Sequence, residues 1–491
     1  MQKLIKTILV TSALISTISC EEFLSETPDN RTFINDLNDI SELLTNAYPT
    51  VSYLEIAETL SDNVGDKSGT PQELNRALYQ YQDIDVSLQL DYPNYYWNGC
   101  YNSIAHANQA LLSIKELGST VESEPLEGEA LLARAYGHFM LVNLWAKTYN
   151  PNTAPNDLGI PYIESPETEF TPNYIRNTVK DVYDKIERDL LRGIELVGNK
   201  YEEPKFHWTP DAAYAFASRF YLYKGEWKKV IDYSSKLIDK NPLNFRDYIN
   251  TYNNLDYTNR TALYGSKNES SNLLIVFAES LYGRNFVNAN FALSTEMTAQ
   301  LFNGNNLVGR RWVYSIFGRD GANNLPKFDE FFDVTNVIAN IGDPYISIAL
   351  FSREEVLFNR AEAYAMLNEY DNSRSDLDFF FEIRSINYNS STDKLTDKII
   401  TDAYPASNGD FSAFYNINTK QNSYIQAILE AKRREFCQEG LRWFDVRRFN
   451  IPVNHTFIRT SNVFSLKIND PRRQLQIPSF AIEKGLSANP R

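Results

Sequence analysis

The strongest constraint on the fold is a paired helical pattern over residues 212–242. Small and aromatic residues alternate through Ala213, Tyr214, Ala217, Ser218 and Tyr221. Gly225, Glu226 and Trp227 break that pattern. A second run then carries Val230, Ile231, Leu237 and Ile238 and stops at Pro242. Small residues let two helices approach closely, glycine allows a turn angle that a side chain opposes, and proline cannot continue a helix. A related pair begins at Glu355. Ala361, Ala363, Tyr364 and Leu367 lead to a turn at Asn368, Glu369 and Tyr370, and Leu377, Phe380 and Ile383 line the next helix.

Helix, glycine turn, helix and proline over about 34 residues is the pattern of a tetratricopeptide hairpin. Other helical stripes surround these pairs. Leu37, Ile40, Leu43, Leu44 and Ala47 recur at three- and four-residue steps, as do Trp97, Tyr101, Ile104, Ala105, Asn108, Leu111 and Leu112. Residues 129–145 are rich in Ala, Leu and aromatics, and 174–197 place Val179, Val182, Tyr183, Ile186, Leu190 and Ile194 on one face. The expected class is all-α, with tetratricopeptide-like hairpins, long irregular loops and minor β hairpins. The loops fall at about 243–345 and 385–423, rich in Asn, Gly, Ser and Tyr. Stretches of that length on a helical scaffold usually carry function.

The N-terminus reads as an export signal. Lys3 and Lys6 precede an uncharged, mostly apolar stretch over 7–19, and Ser19 stands directly before Cys20. An apolar run this short does not span a bilayer core of about 30 Å as a lasting helix, so it reads as removable. A thiol at the cleavage point makes Cys20 the candidate for lipidation, with 20–31 as a tether. Thr17 stands where a lipobox usually has Leu, and a plain secretory signal is the competing reading. The formal net charge is −15 and becomes more acidic once Lys3 and Lys6 are removed. Such a field repels nucleic acid. Cys100 and Cys437 read as buried thiols or a distant pair, and no CxxC or other metal-ligand spacing occurs.

Catalytic signatures are missing from the sequence: there is no HExxH, GxSxG or Walker A loop. His106, His138, His207 and His455 are scattered. The basic cluster at 433–448 interleaves Lys432, Arg433, Arg434, Arg442, Arg447 and Arg448 with Glu430, Glu435, Glu439 and Asp445. It reads as an internal ion-pair network that fixes helices, with an anion or ligand site as the alternative.

Several blocks resemble the SusD/RagB-like outer-membrane lipoproteins of Bacteroidetes. They are the opening CEEFL, the helix WNGCYNSIAHAN (97–108), GEALLARAYGHFMLVNLWAKT (128–148) followed by GIPYI (159–163), RREFCQEGLRWFDVRRFN (433–450), and the closing pairs Ile477, Pro478 and Asn489, Pro490. Ala431 and Lys432 depart from the usual Glu and Arg, and Gly485 and Leu486 from the usual Asn-Pro. The resemblance implies a non-enzymatic, surface-exposed outer-membrane lipoprotein, anchored through Cys20. It would bind oligosaccharides, or in some branches peptides, and deliver them to a SusC-like TonB-dependent porin. The implied organisation is a signal peptide (1–19), a lipidated tether (20–31) and one domain (32–491). Within that domain come mainly tetratricopeptide-like helices (32–242), irregular ligand-face segments (243–345 and 385–423), a further hairpin (352–384) and a C-terminal motif region (424–491).

Sugar recognition needs flat aromatics for the apolar ring faces and a few directed polar groups for the hydroxyls. Trp97 and Asn102 look like the family's sugar-contacting pair, and Tyr96 lies in the same stretch. By residue type alone, Tyr282, Arg284 and Trp312 are further candidates. No cofactor or metal is expected, although loop carboxylates leave calcium open. Two rival readings stand beside capture for import: a lipoprotein scaffold that binds peptide or protein, and an exported glycoside hydrolase.

Overall fold

The computed structural model describes residues 34–85, 88–167, 174–319, 322–339, 341–407 and 409–491. Cys20, with the export signal and tether, lies outside them. Helices dominate. The chain opens with short helices α1 (Leu37–Leu44), α2 (Leu54–Leu60) and α3 (Glu73–Tyr79), with the two-residue strand β1 (Gly65–Asp66) before α3. Three long helices follow: α4 (Pro93–Glu116), α5 (Glu124–Trp145) and α6 (Val179–Leu196). From Gly128 to Trp145 every residue of α5 is buried. A helix buried on all sides belongs in a core, and α4 and α6 cover it on two sides. Gly128 permits one of these contacts, because a Cβ there would sit 2.5 Å from the backbone nitrogen of Val197. Arg134 on α5 reaches Asp189 on α6 at 2.7 Å, inside the core. Helix α6 starts at Val179, later than the apolar pattern implies, because Thr178 and Asp181 form a reciprocal cap there.

The expected hairpin at 212–242 forms as α7 (Pro210–Lys224) and α8 (Trp227–Ser234). Thr209 caps α7, and Gly225 turns the chain at φ +77°. Helix α8 ends earlier than the sequence pattern suggests. Leu237 and Ile238 are still buried, but their carbonyls accept from Arg353 (2.6 Å) and Arg360 (3.1 Å) instead of continuing the helix.

The next segment holds α9 (Tyr257–Tyr264), β2 (Asn272–Glu279), α10 (Tyr282–Asn288), β3 (Phe291–Ala292) and α11 (Thr295–Phe302). The hairpin β4 (Phe317–Arg319) and β5 (Ala322–Asn324) leads to β6 (Phe331–Asn336) and β7 (Ile341–Ser352). Strands β2, β7 and β6 form an antiparallel sheet with β7 in the middle. The second hairpin is α12 (Arg353–Met366) and α13 (Tyr370–Arg384), turned at Asn368 with φ +63°. Helices α14 (Asp397–Ala403), α15 (Thr419–Glu435) and α16 (Leu441–Arg448), the hairpin β8 (Val453–Thr456) and β9 (Val463–Leu466), and α17 (Ser479–Glu483) complete the chain. Cys100 and Cys437 are separate buried thiols.

Most of the basic cluster serves structure. Arg448 grips Glu362 with two bonds (2.8 and 2.9 Å), Arg442 grips Asp62 (2.7 and 2.9 Å), and Arg434 holds Glu430 (2.8 Å). A second, fully buried chain of charges runs from Arg246 to Glu354 (2.8 Å), to Arg384 (3.0 Å) and to Glu435 (2.7 Å). Burial pushes the Glu354 carboxyl up, but Arg246 and Arg384 outweigh it and bring it down to about 2.

Removing one partner of such a chain strands the other charges. Glu354→Gln is therefore expected to lower unfolding stability by about 3–5 kcal/mol in urea titration, whereas Lys398→Ala, at the exposed pair with Asp402, changes it by less than about 1 kcal/mol. The contribution of Glu354 is present above its ordinary value of 4.5 and is lost as the pH falls towards 2.

Candidate functional site

The N-terminus of α4 meets the β2–β7–β6 sheet and the start of α10. Asp91, just before the helix, has φ +69° and is buried. Its carboxylate accepts from the hydroxyl of Ser280 and from the backbone N–H of Leu281 (2.8 Å). One turn into α4, the phenol of Tyr95 donates to Glu279 at the end of β2. Burial and this carboxylate hold the Tyr95 phenol well above its ordinary pKa. The residues 92–95 and 280–284, remote in sequence, are thereby held on one surface.

The outward face of the sheet carries a row of aromatic rings. Side chains alternate along a strand, so Phe277 and Glu279 point outward while Val276 and Ala278 are buried. Across the sheet, Tyr345 stands opposite Glu279 and Phe331 opposite Tyr345. Ring centroids lie 5.3 Å apart for Phe206 and Phe277, 5.6 Å for Phe277 and Tyr345, and 5.4 Å for Tyr345 and Phe331. Phe277 is 49% exposed and Phe331 38%. Arg284 on α10 lies exposed and forks onto Glu330, just before β6. The row thus offers flat apolar faces flanked by carboxylates and a guanidinium.

Below the start of α4 is a cleft of about 460 Å³, lined by Gln72, Glu73, Gln89, Asp91, Tyr92 and Asn285 among others. Glu55 also lines it. Burial pushes the Glu55 carboxyl up to about 7, with Asp91 adding to the rise, and pushes Asp91 up to about 6. Both acids are engaged in structure: Asp91 holds the β2–α10 turn, and Glu55 accepts from Asn75 at 3.1 Å. Among the described residues no cluster of His, Cys, Asp and Glu is arranged to hold a metal ion.

The residues singled out from sequence fall in different places. Trp97 is only 3% exposed, edge-on to Trp145 at 5.1 Å. It lines a pocket of about 210 Å³ together with Tyr101, Tyr174 and Phe480. Tyr96 (1% exposed) packs against Tyr53 and Trp145, and Tyr282 (2%) donates to the carbonyl of Gln438 at 2.9 Å. Tyr96 and Tyr282 are core residues with no face open to a ligand: they fix α4 and α10 to the scaffold. Trp312 is half-buried against Tyr314 and Phe381, with the Arg434 guanidinium 5.4 Å from its ring. Asn102 is exposed on α4, and Arg284 is the one candidate beside the aromatic row. Sequence reasoning missed Tyr95, Phe277, Phe331 and Tyr345. The last three fall in the 243–345 segment read as irregular, and the face on which a strand residue such as Phe277 lies depends on register.

A family model described as starch-binding associating with outer membrane matches residues 22–222. A second, described as the SusD family, matches 354–477. No curated protein matches the chain. Among solved structures, a protein from Bacteroides vulgatus ATCC 8482 is 18% identical with a TM-score of 0.70, over 94% of this chain and 99% of that one. A SusD superfamily protein from Bacteroides thetaiotaomicron VPI-5482 is 18% identical with a TM-score of 0.68, over 93% and 100%. A SusD-like carbohydrate binding protein from Bacteroides vulgatus ATCC 8482 is 16% identical with a TM-score of 0.60, over 91% and 93%. The structural likenesses show the fold. The two family models, over 22–222 and 354–477, place the chain in the SusD/RagB-like family.

The raised Glu55 gives a test with a definite sign. A carboxyl whose folded value lies above its unfolded 4.5 favours the folded state at low pH, and that advantage is lost as the pH rises through about 7. Glu55→Gln is expected to stabilise the protein at pH 8 by on the order of 2–3 kcal/mol. The gain should vanish below pH 4.5 in thermal melts taken across the range.

Proposed function

We propose that this protein is a surface-anchored glycan-capture lipoprotein. It binds oligosaccharides on the face formed by Phe206, Phe277, Tyr345 and Phe331 and delivers them to a SusC-like TonB-dependent porin for import. The observation that carries this reading is the aromatic row, whose rings follow one another at 5.3–5.6 Å across an exposed sheet face. A row of rings suits a chain of sugar units, since each apolar ring face covers an aromatic while hydroxyls reach polar groups at the edges. Glu279, Asp343 and Arg284 supply such groups. Family membership supports the same reading, as does the description of one family model as starch-binding. Anchoring would come from acyl chains on Cys20, and no described helix is long and apolar enough to cross a membrane.

A peptide-binding reading draws on the tip of the β6–β7 hairpin, where Val337 and Ile338 are fully open to solvent. Apolar residues of this kind suit a protein partner better than a sugar. Binding of unstructured peptides with no response to any glycan would favour it.

The test is calorimetry on the full-length, detergent-solubilised protein against a panel of oligosaccharides. Phe277→Ala and Tyr345→Ala are each expected to weaken binding by about 1–3 kcal/mol while leaving the melting temperature nearly unchanged. Trp97→Ala should behave differently, lowering stability by about 3–5 kcal/mol through loss of core packing. Undiminished glycan affinity in both sheet variants would move the binding face elsewhere. Separately, Cys20→Ser is expected to abolish incorporation of labelled palmitate and to release the protein from the outer-membrane fraction. Retention with no labelled wild type would leave the anchor unsupported.

A further inference from the structure

A further cavity lies far in sequence from the aromatic row, between the loop that follows α5, the C-terminal end of α16 and the final segment of the chain. It measures about 490 Å³. Its charged lining is Lys147, Asp157, Arg447, Arg448, Asp470 and Arg473. Most of these charges are matched. Lys147 pairs with Asp157 at 2.6 Å, Asp470 holds Arg472 at 2.7 Å, and the charge of Arg448 is balanced by Glu362 and Asp445, although its buried Nε also makes no bond among the described residues. Arg473 has no carboxylate, but it donates to the carbonyls of Lys467 (3.0 Å), Val446 (3.0 Å) and Ile451 (2.7 Å). These carbonyls gather at the end of α16, where the helix dipole favours a cation.

Arg447 differs. It is 4% exposed, and its side-chain hydrogen bonding among the described residues is limited to Nη2, which donates to the carbonyl of Ala146. Its buried Nε has no partner among them, and no carboxylate pairs with it. A buried guanidinium in this state is expensive, since burying a charge requires a compensating partner. Burial, reinforced by the like charge of Arg473, pulls Arg447 down to about 10. Asn150, Thr153, Asn450 and Asn469 add neutral polar groups around the same cavity.

We propose that this cavity is a binding site for an oxyanion, a carboxylate, sulfate or phosphate group, held by the Arg447 guanidinium in the field of Arg473. The site is separate from the aromatic row and does not depend on the function assigned there. Its ligand is either the acidic group of a charged sugar or a free inorganic ion. Nη1 of this guanidinium makes no hydrogen bond among the described residues and suits a charge-assisted bond to such a group.

The test uses full-length protein in detergent. Sodium sulfate, sodium phosphate and sodium glucuronate are titrated at constant ionic strength, with sodium chloride and glucose as controls. At least one oxyanion is expected to raise the melting temperature and to give saturable heat, while chloride and glucose do neither. Sulfate or phosphate without glucuronate identifies a free ion, and glucuronate as the tighter ligand identifies an acidic sugar. Arg447→Gln should weaken binding at least tenfold. Thr153→Glu, at an exposed position on the cavity wall, should weaken it about fivefold or more without changing the melting temperature of the anion-free protein. This second variant keeps the test open if Arg447→Gln fails to fold. The proposal is overturned if no oxyanion exceeds chloride, or if affinity survives intact in the folded variants.

Discussion

The structure depends on the buried chain of charges Arg246, Glu354, Arg384 and Glu435. Each of these side chains is fully shielded from water, so none can be left without its partner. The chain joins four parts of the molecule: the loop after the first hairpin, the start of α12, the end of α13 and the end of α15. Arg246 also reaches Asn272 at 2.6 Å, and Glu354 accepts from Ser271. The first residue of β2 is therefore locked to the helical scaffold through side chains. Buried ion pairs of this kind add little net stability over an apolar core; what they contribute here is placement.

That placement carries through to the surface. Strand β2 leaves the charged anchor at Asn272, passes through buried residues and emerges at Phe277 and Glu279. Glu279 then accepts from Tyr95, and the next turn is held by Asp91. A core interaction and a surface row of rings are thus connected by eight residues of strand. The helical hairpins supply the rigid backing, and the irregular insert supplies the rings. The same economy explains why so many tyrosines are buried with a carboxylate, as with Tyr314 on Glu435 (2.6 Å) and Tyr252 on Glu269 (2.5 Å). A ring fills volume and its hydroxyl satisfies a charge.

Much of the scaffold was legible in the sequence because helical periodicity and turn chemistry act locally. Gly225 and Asn368 sit at the turns where the pattern puts them, and the hairpin α12–α13 follows its apolar stripe. The early end of α8 was not legible, because it rests on Arg353 and Arg360 arriving from more than a hundred residues away. The proposed ligand face was legible only in part. The stretch holding Tyr96 and Trp97 and that holding Tyr282 and Arg284 do meet, yet the rings Tyr96, Trp97 and Tyr282 are buried. An aromatic on a helix gives no sign of its partner helix until the packing is known. Three of the rings in the outward row, Phe277, Tyr345 and Phe331, lie on strands, where one step of register decides between core and solvent. The basic motif was read correctly as bracing for Arg434, Arg442 and Arg448, while Arg447 within it stands apart for want of a carboxylate.

The most direct test of this account is amide hydrogen exchange, followed by mass spectrometry, in wild type and Glu354→Gln. If the buried charges hold the sheet in place, exchange rises in 272–279 and 341–352 while α4, α5 and α6 keep their protection. Exchange that rises evenly across the chain, or only within α12, would contradict the claim that this chain of charges positions the aromatic face.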